Sequence, residues 1–70
     1  MKYKVDDLLK WHVNGETDYG IVLEISKERY RVLWNTNSGL ELIWGIESHT
    51  IHQLDNDHHA SLVLRQGRDK

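Results

Sequence analysis

Between Tyr19 and Trp34 the chain reads Tyr-Gly-Ile-Val-Leu-Glu-Ile-Ser-Lys-Glu-Arg-Tyr-Arg-Val-Leu-Trp, and no other stretch constrains the fold as tightly. Two runs rich in β-branched and aromatic residues, 21–25 and 30–34, flank the charged link Ser26-Lys27-Glu28-Arg29. That pattern predicts a β-hairpin with a four- or five-residue connection. In the second run Tyr30, Val32 and Trp34 fall on one face, with Arg31 and Leu33 on the other. A single hairpin cannot bury such a face, so the flanking segments are expected to close over it.

The chain has 70 residues, enough for one domain. A domain of this size buries only about 60% of the surface exposed by its unfolded form. The sequence contains no cysteine, so disulfides and thiolate metal sites are excluded. Stability must come from packing, or from docking on a partner or on further copies. Three Trp and three Tyr supply the means, since each such ring buries roughly 150–250 Å². Residues 1–55 carry six Lys/Arg against nine Asp/Glu, and residues 56–70 carry three against two. The first part therefore lacks the basic excess that phosphate-backbone binding requires. No run approaches the ~18 apolar residues of a membrane helix, and no signal-peptide apolar region is evident at the N-terminus. These features predict a protein that is neither secreted nor membrane-bound.

In chain order, residues 1–11 read as a first strand, bent where Asp6-Asp7 interrupts it. His12-Val13-Asn14-Gly15-Glu16 predicts a loop around Asn-Gly, two residues that tolerate positive φ. Gly20 permits close backbone approach or a bulge. After the central hairpin, residues 35–39 form a polar turn-forming loop. Residues 40–44 read as a strand with Leu40, Leu42 and Trp44 on one face, residues 45–50 as a single helical or 3₁₀ turn, and residues 51–54 as a last short strand. Five short strands in fewer than 60 residues predict an all-β fold, a small five-stranded antiparallel barrel.

Residues 4–11 (Lys-Val-Asp-Asp-Leu-Leu-Lys-Trp), 18–25 (Asp-Tyr-Gly-Ile-Val-Leu-Glu-Ile), 29–34 (Arg-Tyr-Arg-Val-Leu-Trp), 41–44 and 51–54 resemble an SH3-like barrel. More narrowly, they are similar to short proteins of tailed bacteriophages with the pattern K-V-G-D-L-V-x-W, Y-G-I-V and Y-x-V-x-W. The resemblance covers residues 2–55 and extends to Tudor and KOW barrels. Asp6 stands where glycine is usual in that pattern. The resemblance implies a non-catalytic structural or interaction module, such as a head-decoration or connector-associated virion component, located in the virion or the cytoplasm. It also admits a nucleic-acid-binding barrel using Trp11, Tyr19, Lys10 and Arg31, or an adaptor or inhibitor acting on a host protein.

Residues 1–55 are accordingly read as the barrel and 56–70 as a C-terminal tail. The tail is either a loosely held terminus or a docking arm whose Leu62, Val63 and Leu64 add a strand to a neighbour while Arg65, Arg68 and Lys70 meet acidic groups. Trp34 and Trp44 are expected in the core. Trp11 and Tyr19 stand near strand ends, where aromatics of such barrels line binding grooves or cages. With Leu62, Val63, Leu64 and Arg65 they form the candidate protein-binding set. The five histidines show no metal-ligand framework and read as scattered surface residues, so no metal or other cofactor is expected. No serine lies in a Gly-x-Ser-x-Gly elbow, and a filled barrel leaves little room for an acid–base pair in a cleft. The expected partners are proteins in a larger assembly, without a small-molecule substrate, membrane contact or nucleic acid.

Overall fold

The structure is a computed structural model that describes residues 1–38 and 41–66. Five antiparallel strands, β1 (Leu8–Val13), β2 (Glu16–Ile25), β3 (Arg29–Ser38), β4 (Glu41–Thr50) and β5 (Ala60–Leu64), make one sheet, with a five-residue helix α1 (Ile51–Asp55) before the last strand. Their order in the sheet is β4-β3-β2-β1-β5. The all-β class is therefore as expected, but the sheet does not close into a barrel: β4 and β5 are its two edges. Among the described residues no helix is long and apolar enough to cross a membrane.

The central hairpin forms as its alternation requires. Tyr30 and Val32 are fully buried and Trp34 nearly so. Tyr30, Val32 and Trp34 join Tyr3, Leu9, Val22, Leu54 and Ala60 in the core, and Trp11, Ile25 and Ile51 pack against it. Burial of Leu9, Val22 and Val32 stabilises the fold by about 1.5–3 kcal/mol per side chain. Asn14 (φ 52°) and Gly15 (φ 80°) are both left-handed, and Val13 pairs directly with Glu16. The Asn-Gly signal thus marks a two-residue turn whose twist matches its strands, and His12 and Thr17 belong to strands rather than a loop. At Asp6, the backbone takes φ 75°, a conformation glycine adopts without the crowding a Cβ brings and which Asp is among the few other residues to tolerate.

Several expectations are corrected by the register. β3 pairs with β4 so that Trp34 faces Gly45 and Asn35 faces Trp44. Residues directly opposite share a face, so Gly45, Glu47 and His49 look inward and Trp44 outward, 54% exposed. Trp44 is not a core residue. Leu40 lies outside the described residues. Residues 45–50 continue β4 instead of forming a turn, and 51–54 are helical instead of extended. Thr50 makes the difference: its side chain accepts from the Gln53 backbone N–H at 3.1 Å and caps the helix. The fifth strand comes from residues 60–64, inside the segment read as a tail, and pairs with β1 of the same chain. The boundary at residue 55 accordingly separates no self-contained sheet from a free arm.

Arg65 follows that strand and turns back into the molecule. Its Nε and Nη2 donate to Asp7 Oδ1 (3.0 Å) and Oδ2 (2.8 Å), and Nη2 also donates to the Lys2 carbonyl at 3.1 Å. Asp7 is only 1% exposed and also accepts from the Lys4 backbone N–H at 2.8 Å. The Arg65 guanidinium holds the Asp7 carboxyl below its ordinary range, against burial, which acts the other way; the Lys4 N–H adds to the lowering. Because the folded value is the lower one, this contribution to stability is complete above the unfolded carboxylate range and is lost as pH falls through the folded value. An Arg65→Met variant should therefore melt below wild type at neutral pH, and melting curves recorded at successively lower pH should converge.

Gly20 pairs with Trp34 across β2 and β3. A Cβ there would lie 2.6 Å from Trp34 Cε3 and 2.7 Å from Val32 Cγ1. Gly20→Ala should cost about 1–3 kcal/mol through overpacking, measured by urea denaturation, whereas Gly45→Ala, whose Cβ meets nothing within 4 Å, should cost less.

Candidate functional site

Because the sheet stays open between β4 and β5, its inner face is recessed and accessible at one end. A cleft of about 270 Å³ lies there, lined by Trp11, Asp18, Trp34, Thr36, Glu47, His49, Leu54 and Asp57. That volume is just under the roughly 300–1,000 Å³ of pockets that enclose drug-sized ligands. The strand register explains the membership. Trp11 of β1 sits opposite Asp18 of β2, and Trp34 sits opposite Gly20, two residues along the same β2 face. The missing side chain at Gly20 is where the Trp34 indole lies. Glu47 and His49 enter from the inward face of β4. Leu54 of α1 and Asp57 just beyond the helix close the end left open by the unpaired edges.

Both indoles are oriented through their N–H groups. Trp11 Nε1 donates to Asp57 Oδ2 at 3.2 Å, and its ring meets His59 edge-on at 5.9 Å. Trp34 Nε1 donates to His49 Nε2 at 3.0 Å, with the two rings nearly perpendicular. That bond needs a lone pair on Nε2 and so uses the tautomer with its proton on Nδ1. Glu47 Oε1 lies 3.6 Å from the same nitrogen. Asp57 is fixed from a second side, its Oδ1 accepting from the His59 backbone N–H at 2.9 Å.

The electrostatics of the cleft are one-sided. Asp18, Glu47 and Asp57 contribute three carboxylates, and no Lys or Arg is among the lining residues. Asp18 has no cationic partner among the described residues. Beside the cleft, Asp57, His58 and His59 bring donor atoms within 4.8 Å of one another. They are the group that could gather around a metal ion, although Asp57 already spends both oxygens on Trp11 and His59.

Further from the cleft, a second polar network spans the core. Tyr30 Oη donates to Asp55 Oδ1 at 2.6 Å and accepts from the Tyr3 backbone N–H at 3.2 Å. Burial, reinforced by Asp55, pushes the Tyr30 hydroxyl above its ordinary value, and burial does the same at Tyr3. The Tyr3 hydroxyl finds no hydrogen-bond partner among the described residues.

Of the candidate protein-binding residues, only Trp11 lines this cleft, beside Trp34, which was expected in the core. Tyr19 lies on the outer face beside Lys10, 44% exposed. Leu62, Val63 and Leu64 are 40–57% exposed on β5, paired within the chain through that strand. Arg65 does meet an acidic group, but it is Asp7 of its own chain; Arg68 and Lys70 lie outside the described residues. Asp18, Glu47, His49 and Asp57 were missed. The only early signal for Asp18 was its spacing, two residues before the glycine that Trp34 covers. The other three depended on a β4 register and a helix that local pattern did not indicate.

His49→Phe removes the acceptor of the Trp34 N–H. It should cost about 1–3 kcal/mol for the unsatisfied buried donor and should move the Trp34 indole N–H resonance in ¹⁵N NMR spectra without moving that of Trp11. Asp57→Ala should do the reverse.

Comparison finds no matching family model, no matching curated protein and no matching solved structure for this chain.

Proposed function

We propose that this chain is a non-catalytic interaction module that docks onto a larger protein assembly through the cleft between Trp11 and Trp34. The observation that carries this reading is the cleft itself: a recess of side-chain size, walled by two oriented indoles and rimmed by three carboxylates. Large, stiff aromatic surfaces beside polar groups are what protein contacts use for anchoring. Catalysis fits poorly. The lining's imidazole, His49, has its Nε2 already engaged by the Trp34 N–H.

An SH3-like fold is part of the proposal. The strand order β4-β3-β2-β1-β5, with a short helix before the last strand, supports it. Where the resemblance to phage proteins extends to role, the assembly is a virion. Nucleic-acid binding is disfavoured by charge. The cleft is acidic, and Arg31, offered earlier as a phosphate contact, is ion-paired to Glu24 at 2.9 Å on the exposed outer face.

A photoreactive residue placed at Thr36, on the cleft, tests the reading in the native context, with one at Lys27, in the β2–β3 link, as control. A discrete protein adduct from position 36 and none from position 27 is the expected result. Adducts to nucleic acid, or no adduct at position 36, would overturn it.

A further inference from the structure

Three carboxylates around two indoles, with no Lys or Arg in the lining, form a site whose counter-charge no Lys or Arg among the described residues supplies. Building on the interaction reading above, we propose that the occupant is an arginine side chain carried on an extended segment of the partner protein. Asp57 is bound by Trp11 and the His59 N–H, so it fixes the wall. Asp18 and Glu47 remain to receive the ligand: Asp18 has no cationic partner among the described residues, and Glu47, its side chain 67% exposed, has His49 Nε2 at 3.6 Å and no Lys or Arg paired with it among the described residues. They stand on different strands, β2 and β4, with Trp34 and Thr36 of β3 between them.

The chemistry of the lining selects among cations. A bare metal ion would use the carboxylates but leave the indoles idle. An arginine uses both parts, its apolar stem covering indole surface while its head stays with the acidic groups. Its planar fork of five N–H donors also offers the cleft's carboxylates several directions of hydrogen bonding, which the compact ammonium of lysine serves less well. The volume of about 270 Å³ admits one such side chain and not a folded peptide. Phosphate-bearing ligands are repelled by the same three charges.

The test uses the full chain, ¹⁵N-labelled, titrated with the tripeptide acetyl-Gly-Arg-Gly-amide. Analogues carrying lysine or citrulline at the centre are titrated in parallel, citrulline keeping the shape of arginine without its charge. The arginine peptide should shift both indole N–H resonances in a saturable manner. Affinity should fall at least about tenfold with citrulline, and by a similar factor in Asp18→Asn and in Glu47→Gln, since each loses a hydrogen bond between charged groups. Glu47 is exposed, so its variant keeps the fold even if Asp18→Asn does not. Equal affinity for citrulline, or shifts confined to residues outside the cleft, would overturn the proposal. Failure here together with a protein adduct at position 36 would reject the arginine and leave the docking site standing. Failure of both would reject the site itself.

Discussion

The fork between Arg65 and Asp7 locks the end of the β1–β5 pairing, next to the Leu8–Leu64 pair, and carries the N-terminal segment with it. Asp7 sits where the N-terminal segment enters β1, and Arg65 is the first residue after β5, 58 positions later. Both guanidinium bonds to the carboxylate are short, and a third reaches the Lys2 carbonyl. Residues 2–7 are thereby held over the inner face of the sheet, which is where Tyr3 becomes fully buried against Tyr30, their rings edge-to-face at 5.7 Å. A buried carboxylate without its cation is costly. The pair therefore matters less for the attraction it adds than for the chain path it dictates. Lysine could not replace arginine here, because one ammonium cannot serve both carboxylate oxygens and a carbonyl in this flat arrangement.

The position of Trp34 follows from a different constraint, the absence of a side chain at Gly20. The indole occupies the space a Cβ would take, packs beside Val32 and donates its N–H to His49 on the next strand. One glycine thus decides where the largest ring of the core lies and which end of it reaches the cleft. Around that ring the cleft gathers three carboxylates with no Lys or Arg in its lining. Like charges held together work against folding, and a local rule broken without internal compensation is expected where a surface serves something other than stability. The same face could have been covered by a β4–β5 pairing. Instead the helix capped by Thr50 occupies the gap, and the recess remains.

The outer face is a second departure from a sealed module. Tyr19, Ile21, Trp44, Ile46 and Leu64 are all 38–57% exposed. Ile21 pairs with Leu33 and Leu33 with Ile46 across β2, β3 and β4. So much apolar surface on so small a domain accords with a chain that works in contact with others, and it includes Trp44, which local pattern assigned to the interior.

Local chemistry alone determined the class of the fold and its centre. Alternation in 30–34, the charged break at 26–29 and Asn14-Gly15 specify a β-meander because side-chain period and turn geometry are short-range properties. What lay beyond reach was decided by pairing over distance. Whether Trp44 or Gly45 faces inward turns on a one-residue register that flips every side chain of β4. Whether residues 51–55 coil or extend turned on a cap and on the packing of Ile51 and Leu54 beneath them. Whether 60–64 is a strand at all depends on the free edge of β1, since its exposed Leu62, Val63 and Leu64 carry no core pattern of their own. The cleft is the product of those three decisions together, because its carboxylates come from strands and a helix end that meet only once the chain has folded.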